Sequence, residues 1–459
     1  MLIFDMKPGK KMKEKDTQTG QTNLFQNQFI NHLNLDDELI KLSEMIPWHL
    51  FEEAFGAYYS ETQGRPRNPI RLMVSVLILQ HMYGFSDEKI LKIWTHNPYF
   101  QYFSGYEELQ WEIPADASTL VKFRKKIGPR GMEVIFNSTI TMALNSGFVN
   151  QKECESVIVD TTVMEKNIAY PTDSKLCQRA ISRLGKLCKK HNVSLKQSYK
   201  YVSKKAMNKS HRYAHAKQYK RMKNSNKKLK TYLGRLARDI ERKIKGSDKV
   251  DYFAKALEAV NRLLQQEQKD KNKLYSMHEP EVSCISKGKA HKKYEYGNKV
   301  SIAITHKQGL ALNTKSHAGN PYDGHTLNEV LQEVNEKIPT EVKQVFVDRG
   351  YRGHKIDYCD VFISGQRKGM TTALKKKLKR RSAIEPHIGH MKSEGKLRRN
   401  MLKGRIGDEI NAILCGIGHN LRLLLAWIAW LFSCFRFFIP LKSFFKNFRV
   451  DWVYIFFKI

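Results

Sequence analysis

The chain has 459 residues, more than an ordinary single domain, and we expect two or three units that share one large core. Its 80 Lys and Arg against 45 Asp and Glu give a formal net charge of +35, which favours a polyanionic partner, nucleic acid before an anionic membrane surface. Residues 1–15 lack the apolar core of a signal peptide, and the seven scattered cysteines form no CxxC pair, so we expect a cytoplasmic protein with reduced thiols and no zinc site.

The N-terminal third is predicted to be helical. Residues 1–34 are polar and indicate a flexible arm, and residues 35–150 are predicted to form an all-helical, DNA-binding domain. The apolar run 70–82 ends at Gly84, Ser86 is a candidate helix cap, and further helices are expected over 119–127 and 129–146. Short helices joined by tight turns fit a helix-turn-helix DNA reader, and they fit a plain helical bundle equally well.

The pattern changes to strands after residue 156. Residues 157–163 form a β-branched run with Asp160 in its middle, and a second run over 345–347 ends at Asp348 and turns at Gly350. Two more strands are expected over 299–305 and 309–315. Because helices interleave with these strands, residues 151–430 are predicted to be a mixed α/β catalytic domain.

A strongly basic segment separates the first of these strands from the others. Residues 175–249 carry 25 Lys and Arg against three acidic residues, a net charge of +22, and we interpret them as part of a helical insertion over about 172–280. Four apolar residues recur at helical spacing, namely Leu229, Leu233, Leu236 and Ile240. The charge favours a surface that follows DNA phosphates, with Lys204, Lys205, Arg212, Lys220 and Arg221 as candidate contacts.

Five tyrosines in the basic segment are candidates for stacking on bases: Tyr199, Tyr201, Tyr213, Tyr219 and Tyr232. The plainer alternative for the whole segment is a solvated basic coil with a structural apolar stripe. The one-sided charge favours contact with DNA.

The two strand aspartates are candidate ligands of divalent cations. A carboxylate inside an apolar strand is costly unless its charge is compensated, and a shared pair of metal ions would compensate both Asp160 and Asp348. Two ions about 4 Å apart can activate a nucleophile and stabilise the leaving oxygen in phosphodiester chemistry. The alternative is that each aspartate caps a helix or pairs with a basic residue.

A third candidate is Glu385. Spacings of four and seven residues place Arg381, Glu385 and Lys392 on one helical face if the helix is continuous. Ser382 and Glu385 also spell a helix-capping box, and Pro386 suits a helix start. Spacing alone leaves the metal-ligand and capping interpretations of Glu385 equal.

Several stretches resemble the DDE transposases of bacterial insertion sequences, in particular the insertion-sequence-five-like group. The similar stretches are residues 158–162, 347–353, 380–390, 401–404 and 407–412, and the resemblance extends in order over about residues 45–430. It implies an RNase H-like catalytic fold, a helical DNA-binding region before it, and two Mg²⁺ or Mn²⁺ ions as cofactor.

Carried over by position, Asp160, Asp348 and Glu385 match the family's acidic triad. Arg381 and Lys392 match the basic residues of its signature helix, which would contact the transposon end; Leu378 stands where that signature usually has tyrosine. The stretch 319–326 is also family-like. Its Asp323 competes for the second ligand position, although its place after a strand and before a helix favours N-capping.

The C-terminal part is apolar. Residues 423–435 carry no charge and are too short for a membrane span of about 20 residues, so we expect a buried helix. Residues 431–459 form an aromatic tail, for which core packing is the first interpretation, before a membrane-adhering segment or out-of-frame sequence.

The sequence thus predicts a transposase that cleaves DNA at terminal inverted repeats and joins the freed ends to target DNA. It is expected to be a homodimer on double-stranded DNA in the cytoplasm, associated with the nucleoid, with no small-molecule substrate and no membrane partner. The rival hypotheses are a nuclease of the same fold and a basic nucleic-acid-binding protein with structural carboxylates.

Overall fold

The computed structural model describes residues 29–59, 67–112, 115–267, 270, 273–286 and 292–444, with the backbone alone for Ile30 and 435–444. The predicted arm falls mostly, and the aromatic tail partly, outside the described residues. Six helices precede the first strand: α1 (Glu38–Met45), α2 (Trp48–Gly56), α3 (Ile70–Met82), α4 (Asp87–His96), α5 (Pro98–Phe103) and α6 (Ala117–Asn145).

Local signals in the sequence explain where these helices begin and bend. The predicted cap at Ser86 is confirmed, because its side chain accepts a hydrogen bond from the Lys89 amide at the start of α4. Gly128 interrupts α6 with φ of +62°, a conformation that glycine adopts without strain. Pro129 follows it, and proline disfavours helical geometry in the residue before it.

A seven-stranded mixed sheet forms the centre of the molecule. Its strands are β1 (Ser156–Lys166), β2 (Ser283–Ile285), β3 (Glu295–Thr305), β4 (Ala311–His317), β5 (Gln344–Val347), β6 (Asp360–Ile363) and β7 (Arg399–Asn400). The order is β2-β3-β1-β5-β6, with β4 also on β3 and β7 also on β1. β1 runs antiparallel to β3 and parallel to β5, so the predicted mixed α/β class is confirmed.

Four helices lie between β1 and β2, in the region of the predicted insertion. They are α7 (Asp173–Lys190), α8 (Lys200–His215), α9 (Tyr219–Ile244) and α10 (Val250–Gln265). They enclose a hydrophobic cluster separate from the main core, and the predicted stripe on α9 lies in it, with Leu229, Leu233, Leu236 and Ile240 fully buried. The apolar residues therefore fold the insertion, and its charges lie on the surface.

The remaining helices pack around the sheet. They are α11 (Asp323–Lys337), α12 (Thr372–Lys379), α13 (Ile384–Ser393) and α14 (Gly404–Phe444). α14 packs against α3, α6 and β4, and one continuous core joins the N-terminal helices to the sheet. The strand that carries Asp160 is thereby braced by helices from both ends of the chain.

The expectation of a buried helix over 423–435 is only partly right. Leu424 and Ile428 are buried, but Trp430 is 59% exposed, because only one face of α14 meets the body of the protein here. The stretch Gly404–Cys434 is long and apolar enough to cross a membrane, and 67% of its most apolar window is buried inside the protein. Mostly buried helices in protein cores can be equally long and apolar, so length and composition alone do not identify a membrane span.

Two buried histidines lie in α3 and α14. His81 Nδ1 lies 3.1 Å from the Leu77 carbonyl oxygen, and His419 Nε2 lies 3.0 Å from that of Gly309. Burial lowers the pKa of each imidazole from 6.5 to about 3, and the charge of Lys396 lowers that of His81 further. Both are therefore neutral in the folded protein near pH 7.

We expect acid to destabilise the protein through these histidines. Their pKa is lower in the folded state, so the stability they contribute is complete above about pH 6.5 and is lost as pH falls toward 3. Between pH 7 and 5 each should cost about 2 kcal/mol. Thermal melts at both pH values should show a smaller pH effect in His419→Gln than in the wild type or the exposed-site control His49→Gln. An equal effect in all three would contradict this account.

Candidate active site

Asp160 and Asp348 lie at equivalent positions on neighbouring parallel strands. The β1–β5 register pairs Ile158 with Phe346. Asp160 follows Ile158 by two residues, and Asp348 follows Phe346 by two residues. Side chains two residues apart share a face, and paired strands lie about 4.8 Å apart. The backbone therefore brings the two half-buried carboxylates side by side on one face of the sheet, where β5 ends beside β1.

Both aspartates also make contacts of the kind expected from the alternative interpretation, in which each one caps a helix or pairs with a basic residue. Asp348 Oδ1 accepts a hydrogen bond of 2.8 Å from the Gly350 amide and caps the short 3-10 turn that follows β5. Asp160 Oδ1 accepts one of 2.7 Å from the Thr161 amide. In addition, Asp160 Oδ2 lies 3.7 Å from the Arg381 guanidinium. These contacts hold the two carboxylates in place where β5 ends.

Arg381 connects Glu385 to Asp160. Its Nη2 lies 3.3 Å from Glu385 Oε1, and its Nη1 is the atom that faces Asp160. The Glu385 side chain is 63% exposed, whereas that of Arg381 is 16% exposed. Asp160 and Glu385 thus share one guanidinium, which lies between their carboxylates.

The capping interpretation of Glu385 is wrong. α13 has Ala383 at its N-cap with no side-chain cap, and Ser382 Oγ donates to the Lys379 carbonyl oxygen instead. The helix is not continuous either, because Arg381 lies in a 3-10 turn before α13. A 3-10 turn followed by a helix still permits the contact between Arg381 and Glu385, which are four residues apart. Lys392 lies in the last turn of α13 and is half-buried.

Asp323 is not the N-cap of α11, contrary to the sequence interpretation. Tyr322 occupies the cap position, and Asp323 is the first helical residue. Its Oδ1 accepts hydrogen bonds of 2.9 Å from Thr161 Oγ1 and from Lys299 Nζ. Sequence reasoning missed Lys299, for which the available signal was a cation in the middle of a buried strand.

Tyr351 is the other residue that sequence reasoning missed. It is fully buried, and its hydroxyl is without a hydrogen-bond partner in the described part of the chain. Burial first, and then the charges of Asp160, Asp323 and Asp348, raise the pKa of this hydroxyl well above 10. The hydroxyl therefore remains protonated and can donate a hydrogen bond.

The donor set fits a hard divalent cation. Carboxylate oxygens are the ligands that Mg²⁺ and Mn²⁺ prefer. The orphaned Tyr351 hydroxyl indicates that an oxygen acceptor belongs beside it. The described residues contain no group of three His, Cys, Asp or Glu side chains already at metal-binding distance, and Arg381 lies between Asp160 and Glu385 instead.

Comparison with known proteins gives two family matches. Residues 27–126 match a transposase domain, DUF772, and residues 273–421 match a transposase DDE domain. The chain is also 41% identical over 208 residues to a Rhizobium meliloti protein described as uncharacterized protein ORF8 in the nfe locus, covering 45% of this chain and all of that protein. The chain belongs to the DDE transposases. No solved structure matches it.

Membership of this family makes the protein a polynucleotidyl transferase that binds DNA. Metal-dependent strand cleavage and strand transfer are typical of DDE transposases, which use divalent cations. The DDE match includes Asp348 and Glu385, and it begins after the basic insertion, so helices α7 to α10 lie outside both matches.

The candidate DNA contacts on the transposase's insertion are all exposed: Lys204, Lys205, Arg212, Lys220 and Arg221. Four of the five candidate tyrosines divide into two groups, and the fifth, Tyr213, is half-buried. Tyr199 and Tyr232 stack on each other at 5.2 Å and pack against the insertion core, so they are engaged within the protein. Tyr201 is 80% exposed and Tyr219 is 57% exposed, which leaves their rings accessible to bases.

Proposed function

We propose that this transposase cleaves DNA at the terminal inverted repeats of an insertion sequence and transfers the freed 3′ ends to target DNA. The observation that carries the proposal is the matching position of Asp160 on β1 and Asp348 directly after the parallel strand β5, with Glu385 linked to Asp160 through Arg381. The sheet, in which antiparallel β3 and β4 stand on one side of β1 and parallel β5 and β6 on the other, supports an RNase H-like fold. The resemblance of the signature stretches supports the insertion-sequence-five-like group.

The proposed cofactor is two Mg²⁺ or Mn²⁺ ions, held by Asp160, Asp348 and Glu385. When bound, such ions supply charge stabilisation for the attacking and leaving oxygens of phosphodiester chemistry. The strands hold the two aspartates, and Glu385 can turn toward them because its side chain is 63% exposed. We assign Arg381 and Lys392 to the phosphates of the transposon end, to which an arginine can bind through two parallel hydrogen bonds.

We also propose the domain boundaries, the partners and the location of the protein. The proposed domains are a flexible arm over 1–34, a DNA-binding domain over 35–150, a catalytic domain over 151–430 with an insertion over about 172–280, and a tail over 431–459. The proposed partners are double-stranded DNA and a second copy of the chain, since transposition processes two ends together. The proposed location is the cytoplasm, at the nucleoid.

The exposed lysines of α8 provide a test of whether the basic surface of the insertion binds DNA phosphates. We expect the double variant Lys204→Ala/Lys205→Ala to bind DNA of any sequence more weakly, because each lost phosphate contact removes counterion release. The slope of log affinity against log salt should become shallower by roughly 2. Fluorescence anisotropy over a salt series measures this slope.

The matched control is Lys152→Ala/Lys343→Ala. Those lysines are also exposed, but they lie at the starts of β1 and β5, away from the aspartates. An unchanged slope in the α8 variant, or an equal change in the control, would show that α8 does not follow the DNA.

A transposition assay in cells tests the function itself. A resistance marker is placed between the DNA segments that flank this coding region, and the transposase is supplied from a separate plasmid. We expect the marker to move to new sites with the wild type and not with Asp160→Asn. Failure of the wild type to move the marker, with the protein folded and expressed, would contradict the proposal.

A further inference from the structure

Asp323 and Asp348 converge on a single point beside Gly350. A Cβ atom at Gly350 would lie 3.0 Å from Asp348 Oδ1 and 3.1 Å from Asp323 Oδ2. Glycine leaves this space open, and two carboxylate groups border it. Two carboxylates that approach the same point repel each other, and a cation bound between them would remove that repulsion.

Among the described residues, the side-chain hydrogen bonds to Asp323 are accepted by one of its two oxygens. Thr161 Oγ1 and Lys299 Nζ both donate to Oδ1, whereas Oδ2 faces Gly350. Lys299 also donates to the Pro321 carbonyl oxygen at 2.7 Å, which fixes the ammonium group at the start of α11. The carboxylate is therefore oriented, with its second oxygen presented toward Asp348.

Tyr351 provides an independent observation at the same place. Its side chain is 0% exposed and its hydroxyl has no partner in the described part of the chain. A buried hydroxyl without a hydrogen-bond partner destabilises the fold, so such a group is rarely found unless a bound molecule or ion satisfies it. Oxygens that surround a bound cation would accept its hydrogen bond.

We infer that Asp323 is a fourth carboxylate of the cation site, sharing a divalent ion with Asp348, and that Tyr351 is a positioning residue whose hydroxyl donates to the oxygen ligands of that ion. This inference rests on the proposed function, because it adds to the same site. It assigns Lys299 and Thr161 to holding Asp323 in the orientation that the ion needs.

The test measures Mn²⁺ binding to the full chain without DNA, by isothermal titration calorimetry. We expect Asp323→Asn to raise the Kd for Mn²⁺ at least ~10-fold, and Tyr351→Phe to raise it by about 10-fold, the usual range for residues that orient metal ligands. Asp357→Asn removes the same charge from an exposed site, and it should bind Mn²⁺ as the wild type does.

A second variant covers the case in which Asp323→Asn does not fold. Gly350→Ala leaves every carboxylate charged and adds a Cβ between the two oxygens, so it should also weaken Mn²⁺ binding. Circular dichroism checks the fold of each variant.

The measurements distinguish failure of the Asp323 and Tyr351 assignment from failure of the proposed function. If Asp160→Asn loses Mn²⁺ while Asp323→Asn and Gly350→Ala bind it normally, the fourth carboxylate is overturned and the proposed function stands. If Tyr351→Phe only raises the melting temperature and leaves the Kd unchanged, the positioning role is overturned. If the wild type binds no Mn²⁺, the cation site of the proposed function fails and the inference fails with it.

Discussion

The Asp348→Asn variant should lose DNA cleavage and strand transfer by at least about 10³-fold, which corresponds to about 4 kcal/mol of transition-state stabilisation. Asparagine keeps an oxygen that can accept the hydrogen bond from the Gly350 amide, so the turn after β5 should persist. What disappears is a negative charge directed at the cation site. Because metal-dependent chemistry needs that charge, the loss should fall on turnover and not on DNA affinity.

Two measurements with the Asp348→Asn variant separate chemistry from folding. Single-turnover cleavage of an end-labelled DNA gives the rate, and anisotropy gives the affinity. Asp360→Asn is the matched control, because Asp360 is exposed at the start of β6 and outside the carboxylate group. Unchanged DNA processing in Asp348→Asn would mean that the aspartate is only structural, as in a basic nucleic-acid-binding protein.

The second large effect is expected at Lys166, near the end of β1. Its side chain is 1% exposed, and its ammonium lies 3.1 Å from Glu279 Oε2 and 2.7 Å from Asp408 Oδ1. It also donates to the carbonyl oxygens of Leu402 and Gly404. Lys166 therefore ties the Asp160 strand to the segment before β2 and to the start of α14.

The Lys166→Met variant should be destabilised by about 3–5 kcal/mol. Methionine fills a similar volume, but it leaves two buried carboxylates without their cation, and uncompensated buried charge is strongly destabilising. Differential scanning calorimetry should show a clear fall in the melting temperature. Lys292→Met is the control, because Lys292 pairs with the neighbouring Glu165 at the surface, where ion pairs contribute at most about 1 kcal/mol. Equal melting temperatures for the two variants would contradict this assignment.

The long elements could be predicted from sequence because their side-chain pattern is local. Strands β1, β3, β4 and β5, helix α3 and the Leu stripe of α9 were all indicated by hydrophobic runs or periodicity. The short strands β2, β6 and β7 were not predicted. They have two to four residues and exist only because distant strands pair with them, a signal that no local pattern carries.

The site was predictable only in part, for the same reason. The cost of a carboxylate in an apolar strand predicted that Asp160 and Asp348 would share cations, and the β1–β5 register places the two at matching positions. The contacts of Asp323 with Thr161 and Lys299 join residues far apart in sequence, so no local pattern predicts them. The predicted N-cap role of Asp323 was wrong by one residue, because α11 begins at Asp323 and its N-cap is Tyr322. The orphaned hydroxyl of Tyr351 depends on packing that only the folded chain defines.

The most direct test of the central claim is strand joining in vitro. A duplex with the transposon end already cut to a free 3′-hydroxyl is labelled on that strand and incubated with the wild-type chain, a plasmid target and Mg²⁺ or Mn²⁺. The account predicts that the label becomes covalently joined to plasmid DNA, and that removal of the metal or the Asp348→Asn substitution prevents it. Plasmid that is nicked in a metal-dependent way while the label never joins it would contradict transposase chemistry and identify a nuclease.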